Sequence, residues 1–239
     1  MNLNICHLYP DLLDLYGDRG NILALSARSC WRGIETVVQR ASLGDKLDFH
    51  NIDILFIGGG SNREQNLLVQ DLMRRKTDLQ AAIEDGLVML TICEGYQLLG
   101  QYYQTAEGKK IPGLGILDLW TIAGPKRMIG NVVVETPLGT LVGFENHSGK
   151  TYLGSGLESL GKVLVGYGNN GQDKTEGVRC KNIFGTYLHG PLLPKNPDFA
   201  DLLLQLALKR RGYIEQLGLL DDNIERLAHQ AMLKKLIKN

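Results

Sequence analysis

The sequence predicts an α/β fold in which an open, mostly parallel sheet is flanked by helices. Two observations lead to this fold class. Short, continuous apolar runs alternate with helical patterns through the first hundred residues, which is typical of parallel strands buried on both faces. The polar and glycine-rich motifs come directly after such runs, and ligands bind outside the carboxyl ends of the strands in open parallel sheets.

Each element follows from its local pattern of apolar residues. The middle third contains many glycines and short strand-like runs, which we expect to extend the same sheet. There is no internal repeat and no linker, so a single domain over residues 1–239 is expected. Strands are predicted at 3–8, 35–38, 52–57, 87–92, 131–135, 141–144, 163–167 and 184–188, and helices at 22–32, 64–85, from 95 onwards, and at 198–211 and 223–238.

Composition narrows the classes of function. Lys plus Arg and Asp plus Glu both total 26, so the net charge is zero, and a basic footprint for nucleic acid or an anionic membrane is absent. No apolar run approaches the roughly 18 to 20 residues that span a bilayer, so we expect a cytoplasmic protein without membrane insertion. The four cysteines are scattered, with no ligand-like spacing, so neither a disulfide framework nor a metal site is expected.

The first candidate nucleophile is Cys93, which follows the buried run at 87–92 and precedes a helical pattern. A nucleophile on a sharp strand-to-helix turn is exposed at the sheet edge, and the amides at the start of the helix lower a thiol pKa and can hold an oxyanion. Gly95 allows this turn to pack closely. A cysteine at the end of a buried strand is equally common without chemistry, so the elbow alone leaves both interpretations open.

Three consecutive glycines, Gly58 to Gly60, follow the predicted strand at 52–57. Glycines leave the backbone free to direct its N–H groups towards a ligand, and such donors suit the negative oxygen of a tetrahedral intermediate. A glycine-rich turn after a strand is more often only a turn. No Lys followed by Ser or Thr comes after it, which argues against a nucleotide-binding P-loop.

His189 ends the predicted strand at 184–188 and precedes Gly190 and Pro191. Thiol acyl transfer needs a base close to the sulfur that later protonates the leaving group, and imidazole titrates in the right range. A single histidine at a strand end is more often structural than catalytic. The cysteine elbow, the glycine loop and this histidine, at three separate strand ends, form a more specific combination.

That combination resembles the class I, or triad, glutamine amidotransferases, whose elbow has the form Cys-x-Gly-x-Gln, matched by Cys93, Gly95 and Gln97. Within the class, the chain is similar to the cobyric-acid-synthase-like branch, whose histidine lies in Tyr-x-His-Gly, matched by Tyr187 and His189. The likeness runs over nearly the whole chain. It implies the class I glutamine amidotransferase fold, with a flavodoxin-like sheet, in one glutaminase domain.

The resemblance also implies a reaction. Cys93 would attack the side-chain amide of L-glutamine, and His189 would move the protons. The γ-glutamyl thioester would release ammonia and be hydrolysed to glutamate. The oxyanion would lie between the backbone N–H groups of Gly59 and Glu94, where losing one donor costs on the order of 100- to 1000-fold in rate.

Three further residues would bind glutamine by the same resemblance. Arg127 would hold the α-carboxylate, a role that suits a planar guanidinium with five donors. Its neighbours indicate a loop, and from sequence alone a solvated loop arginine is the more common case. Gln97 of the elbow and His147, which lies in a segment similar to one of that branch, would lie in the substrate pocket.

Two positions depart from the class. Its members usually carry a glutamate two residues after the histidine to orient it, and this position is Pro191 here. A backbone carbonyl, a distant carboxylate or a side chain of a partner would have to orient His189, and in the last case the isolated chain would be a poor glutaminase. Glu94 adjoins the nucleophile, where a carboxylate raises a thiol pKa, so its side chain is expected to point away.

The segment at 16–21 is expected to be a helix-start turn capped by Asn21 rather than a catalytic loop.

Four stretches, at 15–21, 57–65, 166–170 and 188–191, look like the glutaminase subunits that act in peptidoglycan synthesis. This likeness implies a heterodimer with a MurT-like Mur ligase subunit, which would use the ammonia to amidate the D-glutamate of lipid II to D-isoglutamine. ATP and Mg²⁺ are expected on that partner, and no cofactor or metal on this chain. The alternatives are a free-standing cysteine hydrolase of γ-glutamyl compounds, or an amidotransferase subunit for another ATP-dependent synthetase such as cobyric acid synthase. Intact Cys93 and His189 disfavour a non-catalytic scaffold.

Overall fold

The computed structural model describes residues 2–60 and 65–237. Strands and α-helices in this part of the chain are numbered in chain order. The strands are β1 (Asn2–Leu8), β2 (Glu35–Ala41), β3 (Ile54–Ile57), β4 (Val88–Ile92), β5 (Tyr102–Gln104), β6 (Lys110–Pro112), β7 (Leu119–Thr136), β8 (Gly139–Leu153), β9 (Gly161–Val165), β10 (Thr175–Glu176), β11 (Val178–Cys180) and β12 (Ile183–Thr186). The helices are α1 (Arg19–Cys30), α2 (Gln65–Glu84), α3 (Glu94–Leu98), α4 (Pro197–Arg210) and α5 (Asn223–Leu236).

The first sheet confirms the predicted fold class. Its strand order is β11-β12-β4-β3-β1-β2, and all pairs except β11 with β12 are parallel. Every residue of β3, β4 and β12 is buried, which is why these strands are continuous apolar runs in the sequence. The order β2-β1-β3-β4-β12 is that of a flavodoxin-like sheet, in which ligands bind where the strand order reverses, between β1 and β3.

The middle third does not extend this sheet, so that expectation was wrong. It forms a second sheet with the order β10-β9-β7-β5-β6, in which β8 pairs antiparallel with β7. From 145 to 149 the residues of β8 alternate between buried and partly buried, because only one face of this hairpin packs on the core. Such alternation, with many glycines, hides a strand of 15 residues behind short apolar runs.

The first helix starts earlier than its apolar pattern predicts. α1 begins at Arg19, whose N–H donates to Asp14 Oδ1 at 2.8 Å. Asn21 lies inside the helix and is not its cap, since its side-chain oxygen accepts the Leu193 N–H at 2.9 Å. The first turn of α1 is thereby tied to the chain that follows His189.

The carboxyl ends of β1, β3, β4 and β12 meet at one edge of the first sheet. The chain after each strand carries one motif, and β8 reaches the same edge, where His189 and Phe144 form an isolated antiparallel bridge. The second sheet therefore contacts the chain that leaves the first sheet at this edge. Among the described residues, no helix has the length and apolarity to cross a membrane.

Candidate active site

Cys93 occupies a strained turn between β4 and α3. Its φ of 54° and ψ of −110° lie in a region that L-residues rarely adopt, at a cost of about 1 to 3 kcal/mol. The turn requires Gly95, because a methyl group there would lie 2.6 Å from the Ile57 carbonyl oxygen. The Cys93 N–H donates to the Thr186 carbonyl at 2.9 Å, which anchors the elbow to β12.

The thiol of Cys93 is buried and resists ionisation. Burial is the largest cause that raises its pKa well above the ordinary value, and the Glu94 carboxylate raises it further by its charge and by a hydrogen bond. The expectation that the Glu94 side chain points away was therefore wrong. The hydrogen bond from the Glu94 backbone N–H, at the start of α3, does lower this pKa as expected, but burial and the Glu94 carboxylate outweigh it. A resting thiol, rather than a thiolate, means that attack depends on a base.

His189 is held in the orientation that a base requires. Its Nδ1 lies 3.1 and 3.2 Å from the two carboxylate oxygens of Asp18, and both side chains are fully buried. A carboxylate acceptor keeps the proton on Nδ1, which leaves the lone pair on Nε2. Nε2 is buried and has no hydrogen-bond partner in the described part of the chain, so it is available to a thiol proton.

Asp18 is the orienting group that sequence reasoning missed. Of the three sources considered, the structure shows a distant carboxylate, 171 positions from His189. The segment at 16–21 therefore contributes to the site, contrary to expectation. Tyr16 packs its ring edge-on to the imidazole, with the two ring centroids 4.9 Å apart. One feature of the sequence could have indicated Asp18. The segment that contains it follows β1, so it reaches the same edge of the sheet as the other motifs.

The glycine loop lies between nucleophile and base, but its amides already have acceptors. A methyl group at Gly59 would lie 2.6 Å from His189 Cε1 and 3.3 Å from Cys93 Cβ. The Gly59 N–H donates to Asp18 Oδ2 at 2.9 Å, and the Gly60 N–H donates to Glu94 Oε2 at 2.9 Å. The predicted role of Gly59 as an oxyanion donor is thus not the arrangement seen here. The Glu94 backbone N–H does hydrogen-bond to the thiol.

A pocket of about 220 Å³ opens beside Cys93 and brings together most of the predicted site residues. Gln97, Arg127 and His147 all line it, as Glu94 does. Residues that the sequence did not single out complete its wall. The lining consists of Leu15, Tyr16, Gly60, Cys93, Glu94, Gln97, Tyr103, Arg127, Asn146, His147, Ser148 and Gly149.

Arg127 lies within β7 and not in a loop, so the expected local structure was wrong. It stands where the pairing with β8 shifts register, between Ala123 and Met128. Its exposed guanidinium donates from Nε to Asn146 Oδ1 at 2.9 Å and from Nη2 to the Asn146 carbonyl at 3.0 Å. Of its five N–H groups, these bonds engage two, and the others have no acceptor within the described part of the chain.

A stacked pair of rings lies at the buried side of the pocket, where His147 lines the pocket and Tyr187 packs against His147. The rings of His147 and Tyr187 lie 3.6 Å apart and nearly parallel. Gln97 Nε2 donates to the Tyr187 hydroxyl at 3.0 Å. His147 Nδ1 lies 2.8 Å from the Gly149 carbonyl, so its proton is on Nδ1. Its Nε2 is buried and lies 3.7 Å from Glu145 Oε2, without a hydrogen-bond partner in the described residues.

Together, a buried thiol, an imidazole oriented by a carboxylate and a polar pocket beside them are the groups that thiol-dependent acyl transfer requires. Among the residues with described positions, no group of three or more His, Cys, Asp or Glu side chains could hold a metal ion.

Comparison with known proteins places this enzyme in a family. Residues 4–197 match the model of the CobB/CobQ-like glutamine amidotransferase domain. The chain belongs to this family of glutamine amidotransferases.

Two relatives are similar over most of their length. The chain is 47% identical to the lipid II isoglutaminyl synthase (glutamine-hydrolyzing) subunit GatD of Staphylococcus aureus, over 98% of this chain and 96% of the relative. It is 43% identical to the subunit of the same name from Streptococcus pneumoniae, over 87% of this chain and 82% of the relative. A solved structure of a glutamine amidotransferase has the same fold, with a TM-score of 0.57 at 18% identity over 84% of this chain and 98% of that one.

Proposed function

We propose that this chain hydrolyses L-glutamine through a γ-glutamyl thioester on Cys93 and supplies the ammonia to a separate ATP-dependent synthetase subunit. The contact between His189 and Asp18, beside the Cys93 elbow, is the observation that carries this proposal. It provides the base that a thiol of raised pKa needs.

The proton transfers follow from the positions of the three side chains. His189 Nε2 takes the thiol proton as the sulfur attacks the amide carbon of glutamine. The imidazolium, stabilised by Asp18, then gives this proton to the nitrogen, and ammonia leaves as the thioester forms. Water attacks the thioester next, with its proton going to Nε2, and glutamate departs as Cys93 regains its hydrogen.

Substrate binding uses the two ends of the pocket. Arg127 holds the α-carboxylate of glutamine with its remaining N–H groups, and the Asn146 contacts fix the plane of its guanidinium. Gln97 and His147 line the buried wall near the scissile amide. The Glu94 backbone N–H, which already contacts the sulfur, is one oxyanion donor. The Gly60 N–H becomes a second donor once the Glu94 carboxylate releases it.

The relatives support the proposed partner and pathway. Both GatD relatives are described as subunits of a glutamine-hydrolysing synthase, which supports a partner subunit for this chain. The proposed partner is a MurT-like Mur ligase subunit that binds ATP and Mg²⁺ and amidates lipid II with the ammonia. This chain itself needs no cofactor in the proposed reaction, and the pair works in the cytoplasm.

Covalent labelling tests the nucleophile. A glutamine-mimicking diazo ketone should alkylate Cys93, and excess glutamine should protect it. Cys6 should stay unlabelled, because it is fully buried and, like Cys30 and Cys180, lies outside the lining of the pocket beside Cys93. Peptide mapping identifies the labelled residue. Label on another cysteine, or glutamate production that survives Cys93→Ala, would overturn the assignment.

Substrate choice tests the reaction class. The protein should release ammonia from free glutamine and leave γ-glutamyl peptides intact, with His189→Ala as the blank. Cleavage of such peptides at a comparable rate would favour a free-standing hydrolase instead.

Mixing the chain with a purified MurT-like subunit, lipid II, ATP and glutamine should yield amidated lipid II. Amidation of cobyric acid precursors only, with their own synthetase, would contradict the proposed pathway.

A further inference from the structure

A buried carboxylate lies behind the active site, outside the substrate pocket. Glu176 of β10 is fully buried, and its Oε1 accepts two hydrogen bonds from a single stretch of chain. The donors are the Thr186 hydroxyl at 2.5 Å and the Tyr187 N–H at 2.8 Å. The same hydroxyl accepts the Leu188 N–H at 3.0 Å. One carboxylate oxygen and one hydroxyl thus determine the path of the three residues that precede His189.

This stretch of chain touches both the nucleophile and the base. At one end, the Thr186 carbonyl accepts the Cys93 N–H at 2.9 Å. At the other end, His189 is held by two backbone bonds to Phe144, at 2.7 and 3.2 Å. The backbone between these two anchors sets the separation of sulfur and imidazole. Its internal hydrogen bonds run through the side chains of Thr186 and Glu176.

We propose that Glu176, acting through the Thr186 hydroxyl, is a positioning residue that fixes the distance between the Cys93 thiol and the His189 imidazole. This inference rests on the proposed glutaminase reaction and adds two residues to it. Neither of them lines the pocket, so they act on the geometry of catalysis and not on contact with glutamine.

The surroundings of Glu176 argue against a purely space-filling role. Its second oxygen, Oε2, is buried without a hydrogen-bond partner in the described residues. Burial raises its pKa to about 7, and the nearby Glu145 carboxylate contributes to this rise. An apolar side chain of similar volume would avoid these costs. Such a side chain would also leave the Thr186 hydroxyl and the Tyr187 N–H without an acceptor.

The test compares variants that remove or keep the two hydrogen bonds. Thr186→Val keeps the volume and removes the hydroxyl, whereas Thr186→Ser keeps the hydroxyl. Glu176→Ala removes the acceptor, whereas Glu176→Gln keeps an acceptor oxygen. Asp53→Asn is the control, since Asp53 is an equally buried carboxylate that pairs with Arg211 at the opposite end of the first sheet. Each purified full-length protein is assayed for kcat and KM with glutamine, and for thermal stability.

We expect kcat to fall at least about tenfold in Thr186→Val and in Glu176→Ala with KM changed less than about threefold, because small displacements of catalytic groups cost up to about 100-fold. Thr186→Ser and Glu176→Gln should restore kcat to within about threefold of the wild type. The double variant Thr186→Val with Glu176→Ala should be no worse than the worse single variant. Asp53→Asn should lose thermal stability and keep its kcat.

The outcomes separate this inference from the proposed function. If Glu176→Ala does not fold, Thr186→Val decides the matter alone. A folded Thr186→Val with wild-type kcat, or a loss of kcat in Asp53→Asn as large as in Thr186→Val, would overturn the positioning role. If the wild type releases no glutamate from glutamine while the Cys93→Ala blank behaves identically, the proposed function fails first.

Discussion

The contact between Asp18 and His189 predicts that replacing the Asp18 carboxylate lowers kcat. In Asp18→Asn, the amide oxygen should keep accepting the hydrogen bond from the Gly59 N–H. Losing this acceptor would leave a buried donor unpaired, which costs about 1 to 3 kcal/mol. The amide nitrogen must then face His189 Nδ1 and donate to it. Nε2 would carry the proton in that tautomer, and it could no longer accept one from the thiol.

The expected loss follows from the lost charge. A carboxylate and an imidazolium about 3 to 4 Å apart attract by roughly 4 to 5 kcal/mol at an effective dielectric constant of about 20. At about 1.36 kcal/mol per factor of ten, kcat should fall about 1000- to 5000-fold. The wrong tautomer acts in the same direction, since the corresponding change in a serine triad costs about 10,000-fold. KM should change little, because Asp18 does not line the pocket.

The assay is steady-state glutamate production by the isolated chain over a range of glutamine concentrations. Asp14→Asn is the matched control, because Asp14 lies four residues earlier in the same segment and accepts the Arg19 N–H instead. It should retain wild-type kcat. A folded Asp18→Asn that retains more than about a tenth of wild-type kcat would refute the role of Asp18 and return the search for an orienting group to the partner subunit.

Three further predictions concern binding, reactivity and stability. Arg127→Ala should raise KM for glutamine more than it lowers kcat, whereas Lys126→Ala should change neither; an unchanged KM in Arg127→Ala would make it only a surface residue. Glu94→Gln should shift the pH profile of Cys93 alkylation to lower pH, since a carboxylate that raises the thiol pKa is removed; an unmoved profile would contradict that cause. Glu176 has its pKa raised from 4.5 to about 7, so the folded state binds more protons between these values and stability falls by roughly 3 kcal/mol as pH rises through them. In denaturant unfolding, the free energy of unfolding of Glu176→Gln should not show this decrease with pH. An equal dependence on pH in the variant and the wild type would contradict the raised pKa.

The first sheet was predictable because its strands are buried on both faces. β3, β4 and β12 appear as short, mainly apolar runs, β1 carries apolar residues among polar ones, and the ends of these strands mark the positions of the motifs. The second sheet was not predictable in this way, because one face of β8 is only partly buried and its pattern is broken by glycines. Local pattern therefore identified the strands that carry the site, but not the hairpin that packs on His189.

By itself, the sequence determined where the candidate nucleophile and the candidate base lie in the fold. Cys93 and His189 each follow a buried strand, and parallel strands deliver their carboxyl ends to one edge, so local patterns were sufficient to bring these residues together. The family likeness added Arg127, Gln97 and His147, all of which line the pocket. Their catalytic and binding roles stay predictions until the variants are assayed.

Only the tertiary structure decided which groups control these residues. Asp18 contacts His189, although the two residues are 171 positions apart in the sequence. The pKa of the Cys93 thiol depends on the orientation of the Glu94 carboxylate. Glu176 reaches Thr186 from a different sheet. The sequence shows which residues follow a strand. Hydrogen bonds and pKa shifts depend instead on distances of a few ångströms between segments that are remote along the chain. These distances are set by tertiary packing.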